Sequence, residues 1–396
     1  MTLALNHQQP LSGNKKIFLS IAFLSFVLFA HAQTVNDMHK IEKANISMLL
    51  PFQFQQIDPT ATLMQKDFDN SNFAIDYYRG FKLGLDSLAK LGYPIQLNLF
   101  DSENDSLTIE NIVKTEVVQS ADIIVGPFYP KELALINPFS KKNNKKIISP
   151  ISPLSVDVLK NKNMIMFNNT LEEHANQMAA FAVNQLQIKK YIIVRSGLLA
   201  ESRYSKTFSN AIDTLHKGIV KKEVLVAKAG LKPIEANLSK YEENYILVPS
   251  SDQAFVITLF KQLESYKNNY SITLLVHPKW IDFQTIEPAL LQKYKVIMSA
   301  AFFVDFENSA TINFINKFRA EYFTEPQEMA YKGFDQAMFL VPNISSIKND
   351  ALQASQTLKY NGLSSKFNLS NSNGLGLRNQ AIHILQYCEN DLHAIQ

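Results

Sequence analysis

The chain has 396 residues, 46% hydrophobic and 19% charged, a composition that supports an ample core and a length beyond one ordinary domain. The first 32 residues hold two of its 39 basic residues and no acid, which leaves 37 basic against 36 acidic in the remainder. So even a balance excludes any electrostatic reason to expect nucleic acid or an acidic membrane as partner.

Lys15-Lys16 stand before an apolar run over 17–29, and Ala30-His31-Ala32 then places small residues where a signal peptidase reads. The run falls short of the ~20 residues that span a bilayer. The expectation is a signal peptide over 1–32 cut after Ala32, a short leader over 33–43, and a soluble periplasmic protein without membrane insertion. No cysteine stands near the cut, so no lipid attachment is expected there. Cys388 is the single cysteine and cannot form an intrachain disulfide.

Residues 44–52 (ANISMLLPF) form the first strand signal, stopped by Pro51. The polar stretch 53–72 has no clear period and reads as a long loop over a cleft. In 73–91, Ile75, Tyr78, Phe81, Leu85 and Leu88 recur at helical spacing. A strand over 95–100 follows, then Asp101-Ser102-Glu103-Asn104 as the cap of a helix over 107–120. Residues 121–153 hold two apolar runs, Ile123-Ile124-Val125 and Ile147-Ile148, each stopped by a proline-containing loop. Between them, 131–144 is long enough for a helix and a polar turn, which makes a βαβ unit. β-Branched runs without polar alternation belong to parallel strands covered on both faces. Ligands bind outside the carboxyl ends of such strands. Those ends here are Gly126-Pro127-Phe128-Tyr129 and Ser149-Pro150-Ile151-Ser152, expected to form half of a binding cleft.

The alternation then restarts. Helices are expected over 171–186, 204–215 and 254–266, with Thr170 capping the first and Ser250-Ser251-Asp252 the third. Strands are expected over 190–194, 223–226, 245–249 and 271–276, the last ending at His277. A strand over 295–301 leads back, helices follow over 310–322 and 330–340, and two strands over 363–368 and 380–386 close the chain. Neither a Gly-x-Gly-x-x-Gly, a Walker loop nor a Gly-x-Ser-x-Gly elbow is present. The histidines are scattered, and His174 reads as part of a solvated helix face. No catalytic residue, metal site or cofactor is expected, and the chain does not read as an enzyme.

The order of these elements resembles the type I periplasmic binding proteins, the leucine-binding-like group. The resemblance rests on Leu49-Leu50-Pro51-Phe52, Tyr78-Arg79-Gly80-Phe81, Asp101-Ser102-Glu103-Asn104, Val125-Gly126-Pro127 and Ile148-Ser149-Pro150-Ile151-Ser152-Pro153. It continues through Glu201-Ser202-Arg203-Tyr204, Gly333-Phe334-Asp335-Gln336-Ala337 and a tail from Gly362 to Ile384, and covers roughly 44–390. It is nearest to the amino-acid ABC transporter binding proteins, some of which carry a peptidoglycan-binding LysM module. A related branch, the penicillin-binding-protein activators, uses the fold for protein partners.

The resemblance implies two doubly wound α/β lobes joined by three crossings, with a ligand cleft between. Lobe 1 is expected over 44–167 with 296–343, lobe 2 over 168–295 with 361–390, and 344–360 as a crossing. Ser149 and Ser152 match the family's carboxylate-binding loop. Pro127, Phe128, Tyr129 and Ile151 line the same lobe, while Tyr204, Ser250, Ser251 and His277 face it from the second. Each has a plainer reading: Ser149 and Ser152 as turn formers, Tyr204 as a helix-surface aromatic, Phe128 and Tyr129 as packing. The family's acidic partner for a ligand ammonium is missing from Leu290-Leu291-Gln292-Lys293-Tyr294; Asp305 and Glu201 are the candidate substitutes. The expected function is capture of a small polar, amino-acid-like or peptide-like ligand by hinge closure for ABC-type uptake, with a permease as partner. The alternative is an envelope interaction module whose partner is a cell-wall synthesis protein.

Overall fold

The computed structural model describes residues 43–56, 65–349, 357–371, 374–389 and 391–395. The expected signal peptide, and the leader up to residue 42, lie outside the described residues. Two sheets, each covered by helices on both faces, form two α/β lobes.

The first sheet contains β1 (Ala44–Leu50), β2 (Ile95–Asp101), β3 (Ile123–Val125), β4 (Lys146–Ser149) and β5 (Met164–Met166). They run parallel in the order β5-β4-β3-β1-β2. The second contains β6 (Lys190–Arg195), β7 (Val220–Leu225), β8 (Asn244–Val248), β9 (Ile272–Val276) and β10 (Ile297–Ala300), in the order β10-β9-β8-β6-β7. The longer helices are α1 (Gln65–Lys90), α2 (Pro130–Asn143), α3 (Leu171–Asn184), α4 (Leu199–Leu215), α5 (Gln253–Glu264), α6 (Ser309–Tyr322) and α7 (Glu328–Leu340). None in the described residues is long and apolar enough to cross a membrane.

Apolar side chains alternate between the two faces of each sheet because successive strand residues point opposite ways. In β1, Ile46, Met48 and Leu50 join one core with Tyr77 and Phe81, while Leu49 joins the other with Ile124 and Ile147. The second sheet divides likewise, with Ile246 and Val248 on one side and Tyr191 and Ile193 on the other.

Helix α1 begins at Gln65, well before the expected start at residue 73. The stretch read as a loop over 53–72 is therefore partly helix, and its residues 57–64 lie outside the description. Polar residues such as Asn70 and Ser71 obscured the helical period. α1 packs on α7 with the backbones almost touching. A Cβ at Gly80 would lie 1.8 Å from Ala330 O, and one at Gly333 2.2 Å from Tyr77 O. That explains the near-repeat of Tyr78-Arg79-Gly80-Phe81 in Tyr331-Lys332-Gly333-Phe334: each helix removes its side chain where the other passes.

Three expectations on chain tracing are corrected. The strand at Ile297–Ala300, assigned with 296–343 to lobe 1, pairs with β9 and completes the second sheet. The tail, assigned over 361–390 to lobe 2, is divided. β11 (Leu358–Asn361), β12 (Lys366–Asn371) and β13 (Leu377–Asn379) extend the first sheet, β13 running parallel to β5. Only β14 (His383–Cys388) and β15 (Asp391–Ala394) join the second, antiparallel to β10. The physical reason is burial: Phe367, Leu369 and Leu377 enter the first core, whereas Leu385 enters the second. Of the segment 344–360 expected as a crossing, the described residues lie with the first lobe at both ends: α8 (Ile344–Lys348) buries Ile344 and Ile347 in the first core, and Leu358 and Tyr360 pack against it. The three crossings are residues 167–170, 301–308 and 380–382.

Candidate functional site: the facing carboxyl ends

β5 leaves the first sheet at its carboxyl end and β10 leaves the second at its own, so the crossings set the carboxyl ends of the two sheets against one another. The loops at these ends hold the residues expected in the cleft.

On the first lobe, Gly126 takes φ +92, and a Cβ there would meet Leu49 O at 2.1 Å, so only glycine suits the turn after β3. Phe128 is fully buried, edge-on to Tyr77 with ring centroids 5.1 Å apart and to Phe73 at 5.7 Å. It is a core residue that supports the loop. Tyr129 is half-buried and starts α2, where Glu132 Oε2 accepts from its backbone N–H at 3.2 Å. The buried Glu132 also accepts from Ser102 Oγ at 3.2 Å, and burial raises its carboxyl above the usual range. Asp101 does not cap the following helix; Asp105 does, accepting from Thr108 N at 2.7 Å. Asp101 instead holds the loop after β1, accepting from the N–H groups of Phe52 (2.9 Å) and Gln53 (3.1 Å).

After β4, Ser149 is fully buried and its Oγ has no hydrogen-bond partner. Pro150 O accepts from Gln336 Nε2 at 3.0 Å, and Ile151 O from Asn168 Nδ2 at 2.7 Å. Ser152 Oγ accepts from Leu154 N at 3.3 Å, the turn-forming role open to a serine between prolines.

On the second lobe the centre is a buried polar cluster. Tyr204 is buried in α4, not on its surface, and its hydroxyl lies towards Ser299 Oγ without a hydrogen bond of good geometry. Beside it, Ser299 Oγ is engaged by His174 Nδ1 at 2.9 Å. His174 is therefore no part of a solvated face: Thr170 and Glu173 form the capping box of α3, and the ring turns inward to β10. His277 lies 5.6 Å from the Tyr204 ring, centroid to centroid, and its Nδ1 accepts from Lys279 N at 3.0 Å, which places the proton on Nε2. Burial pulls both histidines down to about 4, for His277 against the opposing pull of the Glu201 carboxylate, so both are neutral at pH 7. Glu201, one candidate ammonium partner, is buried and occupied: it accepts from Ser196 Oγ at 2.6 Å and Gly197 N at 3.2 Å. The other candidate, Asp305, is exposed and accepts from Glu307 N. Ser250 is buried, its Oγ accepting from Asp252 N and its carbonyl from Trp280 Nε1, while Ser251 is exposed. Among the described residues no cluster of three His, Cys, Asp or Glu side chains is placed to hold a metal ion.

The crossings are bound together by Asp335, which the resemblance includes, and by asparagines whose role the sequence did not show. Asn169 Nδ2 donates to Asn379 O and Ala381 O, both at 3.0 Å. Asn379 Nδ2 returns to Phe167 O at 3.2 Å and Lys366 O at 2.8 Å. Asp335, fully buried in α7, accepts from the N–H groups of Leu363, Ser364 and Ser365 and from Ser364 Oγ, all within 2.9 Å. Ser364 O accepts from Phe303 N at 2.9 Å and meets His383 Nε2 at 3.0 Å, tying the middle and last crossings to one carbonyl. Burial raises Asp335 to about 6 against these donors and lowers His383 to about 4.

A model of the periplasmic binding protein family matches residues 69–386. Among solved structures, a protein assigned as a branched-chain amino acid ABC transporter from Rhodospirillum rubrum superposes with a TM-score of 0.65 at 14% identity, covering 89% of this chain and 100% of that one. The C-domain of LpoA from Haemophilus influenzae, a regulator of PBP1A, gives 0.58 at 14% identity, covering 90% and 100%. An ABC transporter substrate-binding protein from Desulfitobacterium hafniense in complex with Leu gives 0.52 at 13% identity, covering 89% and 100%. No curated protein matches in sequence. At such identities the structures speak for the fold, and the family model, spanning most of the chain, speaks for descent: the chain belongs to the periplasmic binding protein family, in its type I, leucine-binding-like form.

Proposed function

We propose that the protein is a periplasmic solute receptor, not an enzyme, that closes its two lobes over a small polar ligand for ABC-type uptake. One observation carries this reading. Ser149 Oγ, without a hydrogen-bond partner, and Tyr204 Oη, poorly bonded beside Ser299, are buried polar atoms at the carboxyl ends of the two sheets. Such groups cost roughly 1–3 kcal/mol each unless something satisfies them. A ligand carboxylate or carbonyl between the lobes would satisfy both, and closure would draw its energy from contacts made only in the closed form. The branched-chain and leucine-binding structures of the same fold are consistent with an amino-acid-like ligand. The cluster facing Tyr204 holds neutral histidines and an occupied Glu201, which favours a ligand whose cationic group, if any, stays out of this pocket.

The test is thermal unfolding of the protein against amino acids, short peptides and muropeptides. A ligand at 100 times its Kd stabilises by about 2.7 kcal/mol. The expected result is a saturable shift that Ser149→Ala and Tyr204→Phe each abolish. No shift with any compound would sink the reading.

A second reading, an envelope module that binds a cell-wall synthesis protein, is favoured by apolar side chains at the same ends. Leu199 is 90% exposed, and Leu198 and Phe54 are half-exposed, in the loops after β6 and β1. The structural likeness to LpoA supports it too. It predicts that Leu198→Asp/Leu199→Asp abolishes partner binding and leaves unfolding unchanged.

A further inference from the structure

The amino ends of the second sheet lie a full strand's length from the facing carboxyl ends. β8 and β9 run in parallel with Asn244 opposite Ile272, so the turns that lead into them, 239–243 and 265–271, lie side by side. Asn244 ties the two together, its N–H donating to Ser271 O at 3.0 Å and its Nδ2 to the same carbonyl at 2.9 Å.

A cavity of about 440 Å3 opens beside β9, walled by three tyrosines, Tyr266, Tyr270 and Tyr294, and by Asn268 and Asn269. A second, of about 210 Å3, opens beside β8 with Glu243 and Tyr245 in its wall. The two meet at Glu243, which accepts at 2.5 Å from the hydroxyl of Ser271 in the wall of the larger. Tyr241 stands in the turn between Ser239 and Glu242, both lining the smaller cavity, and is 97% exposed. Tyr270 is half-buried and held in place, its hydroxyl donating to Glu235 Oε1 at 3.3 Å and its ring edge-on to Tyr266 with centroids 5.9 Å apart.

Charge at this end is answered within the protein. Glu264 accepts from Lys293 Nζ at 2.6 and 2.8 Å, and Glu243 from Lys295 Nζ at 2.9 Å. In the wall of the smaller cavity, Lys189 and Lys190 are balanced by Glu242 and Glu243. The amides of Asn268 and Asn269 are not spent in this way: both residues are exposed, and neither side chain makes a hydrogen bond to the described residues.

We propose that the amino end of the second lobe binds a neutral sugar chain. The choice of ligand follows from what the walls offer. A charged ligand would find every ion here already paired, whereas a sugar ring carries no charge. Its face of C–H groups packs against an aromatic ring, and its rim of hydroxyls, each both donor and acceptor, matches an amide that is also both. Two tyrosines on neighbouring turns, Tyr241 and Tyr270, suit successive units of a chain better than a single sugar. The larger cavity is within the range of small-ligand sites.

The test is calorimetric titration of the full chain with cellotetraose and with the tetramer of N-acetylglucosamine, against sorbitol as an acyclic polyol. Saturable heat with at least one tetramer and none with sorbitol is expected. Tyr241→Ala removes an exposed ring. Asn268→Gly/Asn269→Ala removes both amides, and glycine keeps the left-handed backbone of Asn268 at φ +60, so both variants should fold normally. Each should weaken sugar binding about fivefold or more. The acetylated tetramer binding alone identifies an amino-sugar chain, cellotetraose alone a plain glucan, and both together a site that reads rings and hydroxyls; each supports the proposal. No saturable heat, or heat unchanged in both variants, overturns it, as does a protein held through Tyr241 by a chain that binds no sugar. Neither variant touches Ser149 or Tyr204, so this outcome is independent of the cleft ligand.

Discussion

Ser149 and Tyr204 carry hydroxyls that cost the free protein stability, and that sets an expectation separate from any ligand. Tyr204→Phe removes a buried, poorly bonded oxygen and keeps the ring, so the unliganded protein should be as stable as before or up to about 1 kcal/mol more so by urea unfolding. A loss of stability would show that the hydroxyl is satisfied after all. The buried histidines predict a pH dependence. His174, His277 and His383 stay neutral in the folded chain down to about 4, while the unfolded chain takes up their protons near 6.5. The unfolded state therefore binds more protons across that window, and stability falls as pH falls through it. Asp335, raised to about 6, opposes this slope, because its folded form binds the proton first. Burial raises Asp76, Glu132 and Glu173 as well, which adds to the opposing slope, while His174 by itself contributes a loss of roughly 3 kcal/mol. His174→Gln should flatten the unfolding free energy measured between pH 6.5 and 4; an unchanged slope would refute the assignment. Sequence reasoning singled out Ser149 and Tyr204 through the family resemblance, the first in the loop after a strand and the second in a motif opening a helix. It missed His174 because Glu172 and Glu173 beside it read as solvent-facing, whereas Glu173 is turned back to the helix cap.

Helices α1 and α7 meet through Gly80 and Gly333, and no neighbouring side chain can yield there, because backbone faces backbone. Gly80→Ala should cost roughly 3 kcal/mol or more and lower the thermal midpoint by several degrees. A shift within error would mean that the helices can separate freely. Most elements were legible in the sequence, since strands covered on both faces must be continuous apolar runs such as Ile123-Ile124-Val125. What was not legible was which sheet the late strands join. Lys366–Asn371 alternates apolar and polar residues and His383–Cys388 does not, but neither pattern says which sheet has an open edge. Their destinations are decided by the edge each finds open, β13 beside β5 in one sheet and β14 beside β10 in the other.

The two lobes move, if they move, about a polar knot in which Asp335 holds the 362–365 turn and Asn169 and Asn379 hold the first and last crossings. Asp335→Asn turns an amide toward donors that had a carboxylate, and should cost roughly 2–4 kcal/mol in urea unfolding. A neutral outcome would mean that the turn does not depend on the charge. Asp335 stood out in the sequence, in Gly333-Phe334-Asp335-Gln336-Ala337, as a candidate to bridge a crossing, whereas Asn169 and Asn379, 210 positions apart, acquire their shared role only once both crossings are drawn together. The division of the tail between the sheets bears on how the chain is made. As it emerges from the ribosome, the five parallel strands of the second lobe are all present once residue 300 has appeared. The first lobe, begun earlier, still lacks the partner of β5 until residues 377–379 arrive. The part synthesised first is thus finished late, and until then β5 presents an open edge that only the end of the same chain is built to close.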